Sequence, residues 1–187
     1  MVGITGSVGA VGIHSLLLRL SAFAAVDLRA VMTSTADRYI SHIVLSHILG
    51  SPVPARMYDP DGTMWNPAGL MQDRDAMLIA PATANMLGRL AGGSAGDLVS
   101  ACYLNCAGPT LIAPVMNARM RSHPAVRRNL ATLAGDGCVI LDGRGGYEVA
   151  TGRTSTEGGL PTADDVMTAL RAACCVTPPR SQEVVVS

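Results

Sequence analysis

The chain has 187 residues, 49% apolar and 15% charged, which is enough for one core and too apolar for a disordered polyelectrolyte. Fourteen basic residues balance fourteen acidic ones and aromatics are 3%, which argues against nucleic acid as a partner. Residues 1–20 lack the charged start and unbroken apolar stretch of a secretion signal, and no run reaches ~18–20 apolar residues, so a cytoplasmic protein without membrane partners is expected. In chain order, residues 1–5 read as a short buried strand. Residues 10–22 read as a helix, with Leu16, Leu17 and Leu20 at helical spacing. A second strand is expected over 26–32. A helix over 36–49 is stopped by Gly50 and Pro52. Residues 51–74 hold four prolines, two glycines and the single tryptophan, and read as a long irregular connection.

The second half is more regular. Residues 76–80 form an unbroken apolar run that ends at Pro81, as suits a parallel strand buried on both faces. Helices follow over 85–91 and 98–106, separated by Gly92, Gly93 and Gly96. Residues 110–113 repeat the apolar run and end at Pro114. A helix over 124–133 starts with Pro124 in its first turn. A fifth strand covers 138–141. Residues 143–159 hold six glycines without apolar periodicity and read as a long loop. A last helix over 162–174 has an acidic start, and residues 177–187 form a tail expected to be disordered. Alternating strands and helices predict an α/β fold with a parallel sheet between helical layers. The five cysteines (Cys102, Cys106, Cys138, Cys174 and Cys175) lack C-x-x-C spacing, so reduced thiols are expected and no metal site.

In such folds ligands gather beyond the carboxyl ends of the strands. Gly6, Ser7, Val8 and Gly9 follow the first strand and lead into a helix, an arrangement that suits an anion. Thr33, Ser34 and Thr35 follow the second strand, as phosphate ligands or as helix caps. The third and fourth strands are followed by PATAN (81–85) and PVMNARM (114–120), which offer amides and hydroxyls. No Ser-His-Asp triad and no carboxylate pair is apparent. These residues alone point to an α/β domain that binds a phosphorylated cofactor.

Three segments together, GITGSVG (3–9), PATANMLGRLAGG (81–93) and PVMNARM (114–120), resemble the homo-oligomeric flavin-containing cysteine decarboxylases. That family includes phosphopantothenoylcysteine decarboxylase and the peptidyl-cysteine decarboxylases of lantibiotic and linaridin-type biosynthesis. The resemblance covers residues 1–170 and implies a flavodoxin-like three-layer fold over 1–175, assembled as a trimer or as a dodecamer of trimers. It implies FMN, with FAD as the alternative. Gly6, Ser7, Val8 and Thr33 would meet its phosphate. Ala82, Thr83, Asn85 and Met120 would border the ribityl chain and ring. Asn117 would hold the substrate carboxylate, with Met120 beside it. Tyr147 and Arg153 would join from a substrate clamp over 143–159, with Arg119 and Arg121 as further cations. The essential histidine of the family falls at Pro67, beside Asn66, and none of His14, His42, His47 and His123 occupies that place.

Phosphopantothenoylcysteine decarboxylases carry a cysteine in this flap, which returns electrons to the intermediate. No cysteine lies between Cys138 and Cys174. The resemblance therefore implies oxidative decarboxylation of the C-terminal cysteine of a precursor peptide to an aminoenethiol. The alternatives are phosphopantothenoylcysteine decarboxylation and a non-catalytic flavodoxin-like binding protein.

Overall fold

The computed structural model describes residues 1–24, 26–148 and 152–176. Five parallel strands form one sheet: β1 (Val2–Ile4), β2 (Ala30–Met32), β3 (Met77–Ala82), β4 (Thr110–Pro114) and β5 (Val139–Ile140). Their order is β2-β1-β3-β4-β5, the flavodoxin-like arrangement. The apolar runs are continuous because both faces of each strand are covered. Val2, Ile4, Met32, Leu78 and Leu111 enter one core; Val31, Met77, Ile79 and Ile112 enter the other. Register follows the alternation, with Val2 opposite both Ala30 and Leu78, and Leu78 opposite Leu111.

Helices α1 (Ile13–Ser21) and α2 (His42–Leu49) cover the first face together with the last helix of the chain. The second face carries α3 (Pro67–Met71), α4 (Ala84–Ala91) and α5 (Leu98–Leu104). A short α6 (Ala118–Ser122) follows β4, and α7 (Pro124–Gly135) packs with α4 over the second core. A hairpin of β6 (Gly143–Glu148) and β7 (Arg153–Gly159) leads to α8 (Ala163–Val176), which completes the first face. Over β1 the second layer comes very close, since a Cβ on Gly3 would lie 2.7 Å from Val99 Cγ1. Among the described residues no helix is long and apolar enough to cross a membrane.

Several expectations need correction. The strand expected over 26–32 pairs only from Ala30, because β1 offers a three-residue edge. The helix expected from residue 10 begins at Ile13, after a 3-10 turn over Val8–Gly12. The helix expected over 36–49 breaks after Arg38. There the Asp37 carboxylate accepts the His42 backbone N–H (3.2 Å) and meets its ring Nδ1 (2.6 Å), which starts a new helix. Burial acts to raise the Asp37 pKa, but these bonds outweigh it and hold the carboxyl below its ordinary value. Pro81 lies inside β3 instead of ending it, whereas Pro114 is the last residue of β4. The connection 51–74 contains α3, capped by Asn66 Oδ1 on Ala68 N (3.0 Å) with Pro67 in its first turn. The expected loop 143–159 is an antiparallel hairpin. Its glycines permit close crossing: a Cβ on Gly143 would lie 1.9 Å from the Gly159 carbonyl oxygen.

The thiols of Cys102 and Cys138 are both shifted upward by burial, Cys102 to about 12. Cys138 Sγ lies 3.5 Å from the Tyr103 hydroxyl.

One hydroxyl joins the two central strands at their carboxyl ends. Thr5 is 1% exposed; its Oγ1 donates to the Pro81 carbonyl (2.6 Å) and accepts from Thr83 N–H (3.1 Å). Thr5→Val keeps the shape and strands both partners. Urea unfolding should show a loss of about 2–3 kcal/mol, read as a lower midpoint at unchanged slope.

Candidate functional site

The carboxyl edge of β1 and β3 is where neighbouring connections leave in opposite directions, and it holds the expected cluster. Ser7 precedes the 3-10 turn, and its side chain makes no capping bond. Its Oγ is buried without a hydrogen-bond partner. Glycines keep the space around it open. A Cβ on Gly9 would lie 3.3 Å from Ser7 Oγ and 2.6 Å from Val115 Cγ1. A Cβ on Gly6 would lie 2.5 Å from Thr35 Cγ2, so the connection after β2 closes one wall. Thr33 N–H donates to the Ile4 carbonyl (2.9 Å), which fixes that wall to β1.

The threonines serve as caps and keep a donor. Thr33 Oγ1 accepts from Ala36 N–H (3.2 Å), and Thr83 Oγ1 accepts from Met86 N–H (3.2 Å) at the start of α4. Each hydroxyl proton remains available to an incoming acceptor. Ala82 is fully buried and its carbonyl accepts from Val115 N–H (3.0 Å), which ties the ends of β3 and β4 together. Asn85 is exposed on the first turn of α4. Val8 is exposed on the 3-10 turn, beside the glycines.

Asn117 starts α6, and its Oδ1 accepts from Met120 N–H (2.9 Å). With the oxygen engaged, the two amide N–H donors of Nδ2 are left for a ligand. Met120 is exposed beside it. Arg121 is not the free cation expected from the sequence, because it forms a short ion pair with Asp142. That pair ties α6 to the residue before the hairpin. Arg119 has no ion-pair partner among the described residues. The hairpin returns to this loop at its foot, where a Cβ on Gly158 would lie 2.8 Å from the Met116 carbonyl oxygen. Tyr147 and Arg153 lie on the hairpin backbone, paired with Thr154 and Glu148, and their side chains lie outside the described residues. The tail 177–187 also lies outside them.

The structure thus brings Gly6, Ser7, Thr33 and Thr83 to one edge, with Asn117 on the adjoining loop. Sequence reasoning missed Thr5, Val115 and the Met116 carbonyl. Thr5 carries the one available signal, a hydroxyl at the end of an apolar strand just before a glycine.

The Flavoprotein family profile matches residues 1–174, and the chain belongs to that family. Among curated proteins, the coenzyme A biosynthesis bifunctional protein CoaBC of Mycolicibacterium smegmatis is 33% identical over 168 residues, 90% of this chain and 40% of that protein. The chain therefore spans about 40% of the length of such relatives. Among solved structures, the FMN-dependent cysteine decarboxylase SpaF superposes with a TM-score of 0.75 at 31% identity, covering 92% of this chain and 95% of its own. MrsD from Bacillus sp. HIL-Y85/54728 gives 0.78 at 31% identity, covering 92% and 93%.

The edge fits the phosphate end of a flavin. A buried hydroxyl without a partner, glycines on either side of it and the Thr33 O–H donor are groups that could hold an anion. Ser7→Ala removes a donor that the ligand-free protein leaves unused. Its ligand-free melting temperature should not fall, while flavin titration should show affinity about ten- to a hundredfold weaker.

Proposed function

We propose that the chain is an FMN-dependent decarboxylase acting oxidatively on the C-terminal cysteine of a precursor peptide, with an aminoenethiol as product. The observation that carries this reading is an amide donor at the end of β4, next to the phosphate cradle and against a hairpin without cysteine. The likeness to SpaF and MrsD supports it.

Gly6, Ser7, Val8 and Thr33 hold the phosphate; Ala82, Thr83, Asn85 and Met120 border the rest of the cofactor. Bound flavin supplies a two-electron acceptor that oxygen renews. Two electrons and two protons leave the CH–SH unit of the substrate, which becomes a thioaldehyde. The C=S group then accepts the electron pair of the breaking carbon–carboxylate bond. Carbon dioxide departs, and the enethiolate takes up one proton. Asn117 orients the carboxylate through Nδ2 without titrating, and Tyr147 and Arg153 are the hairpin residues assigned to the peptide. The protein assembles as a homotrimer or a dodecamer of trimers; exposed Val8, Val11, Tyr39 and Ile43 near the connections after β1 and β2 support this.

A second reading is phosphopantothenoylcysteine decarboxylation, which the identity to CoaBC favours. Mass spectrometry separates the two. The flavin-loaded protein should remove carbon dioxide and two hydrogens from cysteine-terminated peptides. Loss of carbon dioxide alone from phosphopantothenoylcysteine, with peptides untouched, would replace the first reading by the second.

Asn117 gives a sharper test. Asn117→Asp keeps the cap on α6 but loses the donor and opposes the substrate with a like charge. Asn117→Ala loses both cap and donor. Both variants should bind FMN. The alanine variant should lose about ten- to a hundredfold in kcat/KM, and the aspartate variant more. Wild-type turnover by either would remove this residue from the mechanism.

A further inference from the structure

Asn117, the carboxylate donor of the reading above, starts a helix that the core does not hold. No residue of α6 is buried, and a single turn of helix is marginal without packing. The hydrogen bonds of its side chains stay local. Asn117 Oδ1 accepts from Met120 N–H (2.9 Å), and the Ser122 hydroxyl donates to the Arg119 carbonyl (3.1 Å). Among the described residues, the ion pair of Arg121 with Asp142 is the side-chain bond that carries α6 to another part of the fold.

Both partners are fixed to something firm. Arg121 lies one turn after Asn117, and its N–H donates to the Asn117 carbonyl (3.0 Å). On the other side, Leu141 N–H donates to the Ile112 carbonyl (2.8 Å), which ties the residue before Asp142 to β4. Asp142 is followed at once by Gly143, where the hairpin begins and crosses Gly159. Gly158 in turn lies against the Met116 carbonyl, one residue before Asn117. These contacts close a circuit from the Asn117 loop through α6 and Asp142 to the hairpin foot and back. One joint of that circuit is close backbone contact, and the other is the ion pair.

We propose that Arg121 is a positioning residue: through Asp142 it holds Asn117 in fixed relation to the hairpin, so that the substrate carboxylate and the rest of the substrate are placed together. The proposal rests on the decarboxylase reading and on the role given there to Asn117. It applies to either cysteine substrate, because both carry the same carboxylate. Arg121 does not itself meet that carboxylate, since Asp142 occupies its charge. The Asp142 side chain is 71% exposed, which limits the pair to the modest strength of a surface ion pair. The expected losses are correspondingly small, about three- to fivefold.

The test uses the flavin-loaded protein with a cysteine-terminated peptide and with phosphopantothenoylcysteine, keeping whichever is turned over. Arg121→Gln and Asp142→Asn should each lower kcat/KM about three- to fivefold, and the two together no further. Arg121→Asp combined with Asp142→Arg should recover most of the rate. In an Asn117→Ala background, Arg121→Gln should cost nothing more, because the group it positions is gone. Flavin affinity should move by less than about twofold. Hydrogen exchange of the substrate-free protein gives a readout apart from turnover: α6 amides should exchange about threefold faster in Arg121→Gln and slow again in the exchanged pair. If Arg121 met the substrate directly, Asp142→Asn would free it and raise substrate affinity. That gain, a full loss from Arg121→Gln in the Asn117→Ala background, or no recovery in the exchanged pair would each overturn the proposal and leave the decarboxylase reading intact. Wild-type protein that turns over neither substrate would overturn both.

Discussion

The Thr5 hydroxyl is the hinge pin of the molecule's working edge. It is buried, so both of its hydrogen bonds must be made within the protein. One goes to the Pro81 carbonyl and the other comes from Thr83 N–H, so a single oxygen sets how far β1 and β3 lie apart where they end. The residues proposed to meet a ligand hang from those two ends. The glycine turn leaves β1 one residue after Thr5, and Thr83 caps α4. Ala82 passes the constraint to β4 through Val115, and β4 delivers Asn117.

The cradle has no lysine or arginine among the groups that define it. What it offers an anion is hydroxyls, open backbone and a turn start. This economy of charge agrees with a balanced composition of fourteen basic and fourteen acidic residues. It also leaves the arginines for other work. Arg121 locks α6 to the residue before the hairpin, and Arg89 pairs with Asp97 at the start of α5.

The layers and the strand order's general type were legible because buried parallel strands cannot hide: residues 77–80 and 110–113 have apolar neighbours on both faces. Motifs after strands drew attention to the carboxyl edge because strand-to-helix turns collect there and leave backbone groups open. Three things escaped for physical reasons. The break between residues 38 and 42 depends on a carboxylate substituting for a helical carbonyl, and apolar spacing is blind to that. The hairpin is glycine-rich, so its strands carry no alternating pattern, and its pairing becomes visible only as close backbone contact. Thr5 looks like any strand-end residue until its two partners, 76 and 78 positions away, are folded against it. The Asn-Pro start of α3 was readable, but three further prolines in the same connection concealed it.

The upward-shifted thiols bear on self-protection. A catalyst for cysteine oxidation that hands its electrons to oxygen sheds a peroxide at each cycle, and thiolates are what peroxide attacks. Burial pushes the Cys102 thiol up to about 12, which leaves almost none of it as thiolate at neutral pH. Cys102 is therefore a poor target for peroxide, and burial of Cys138 moves it the same way. The same desolvation that packs α5 into the second core would spare these sulfurs from the oxidative chemistry proposed for the protein.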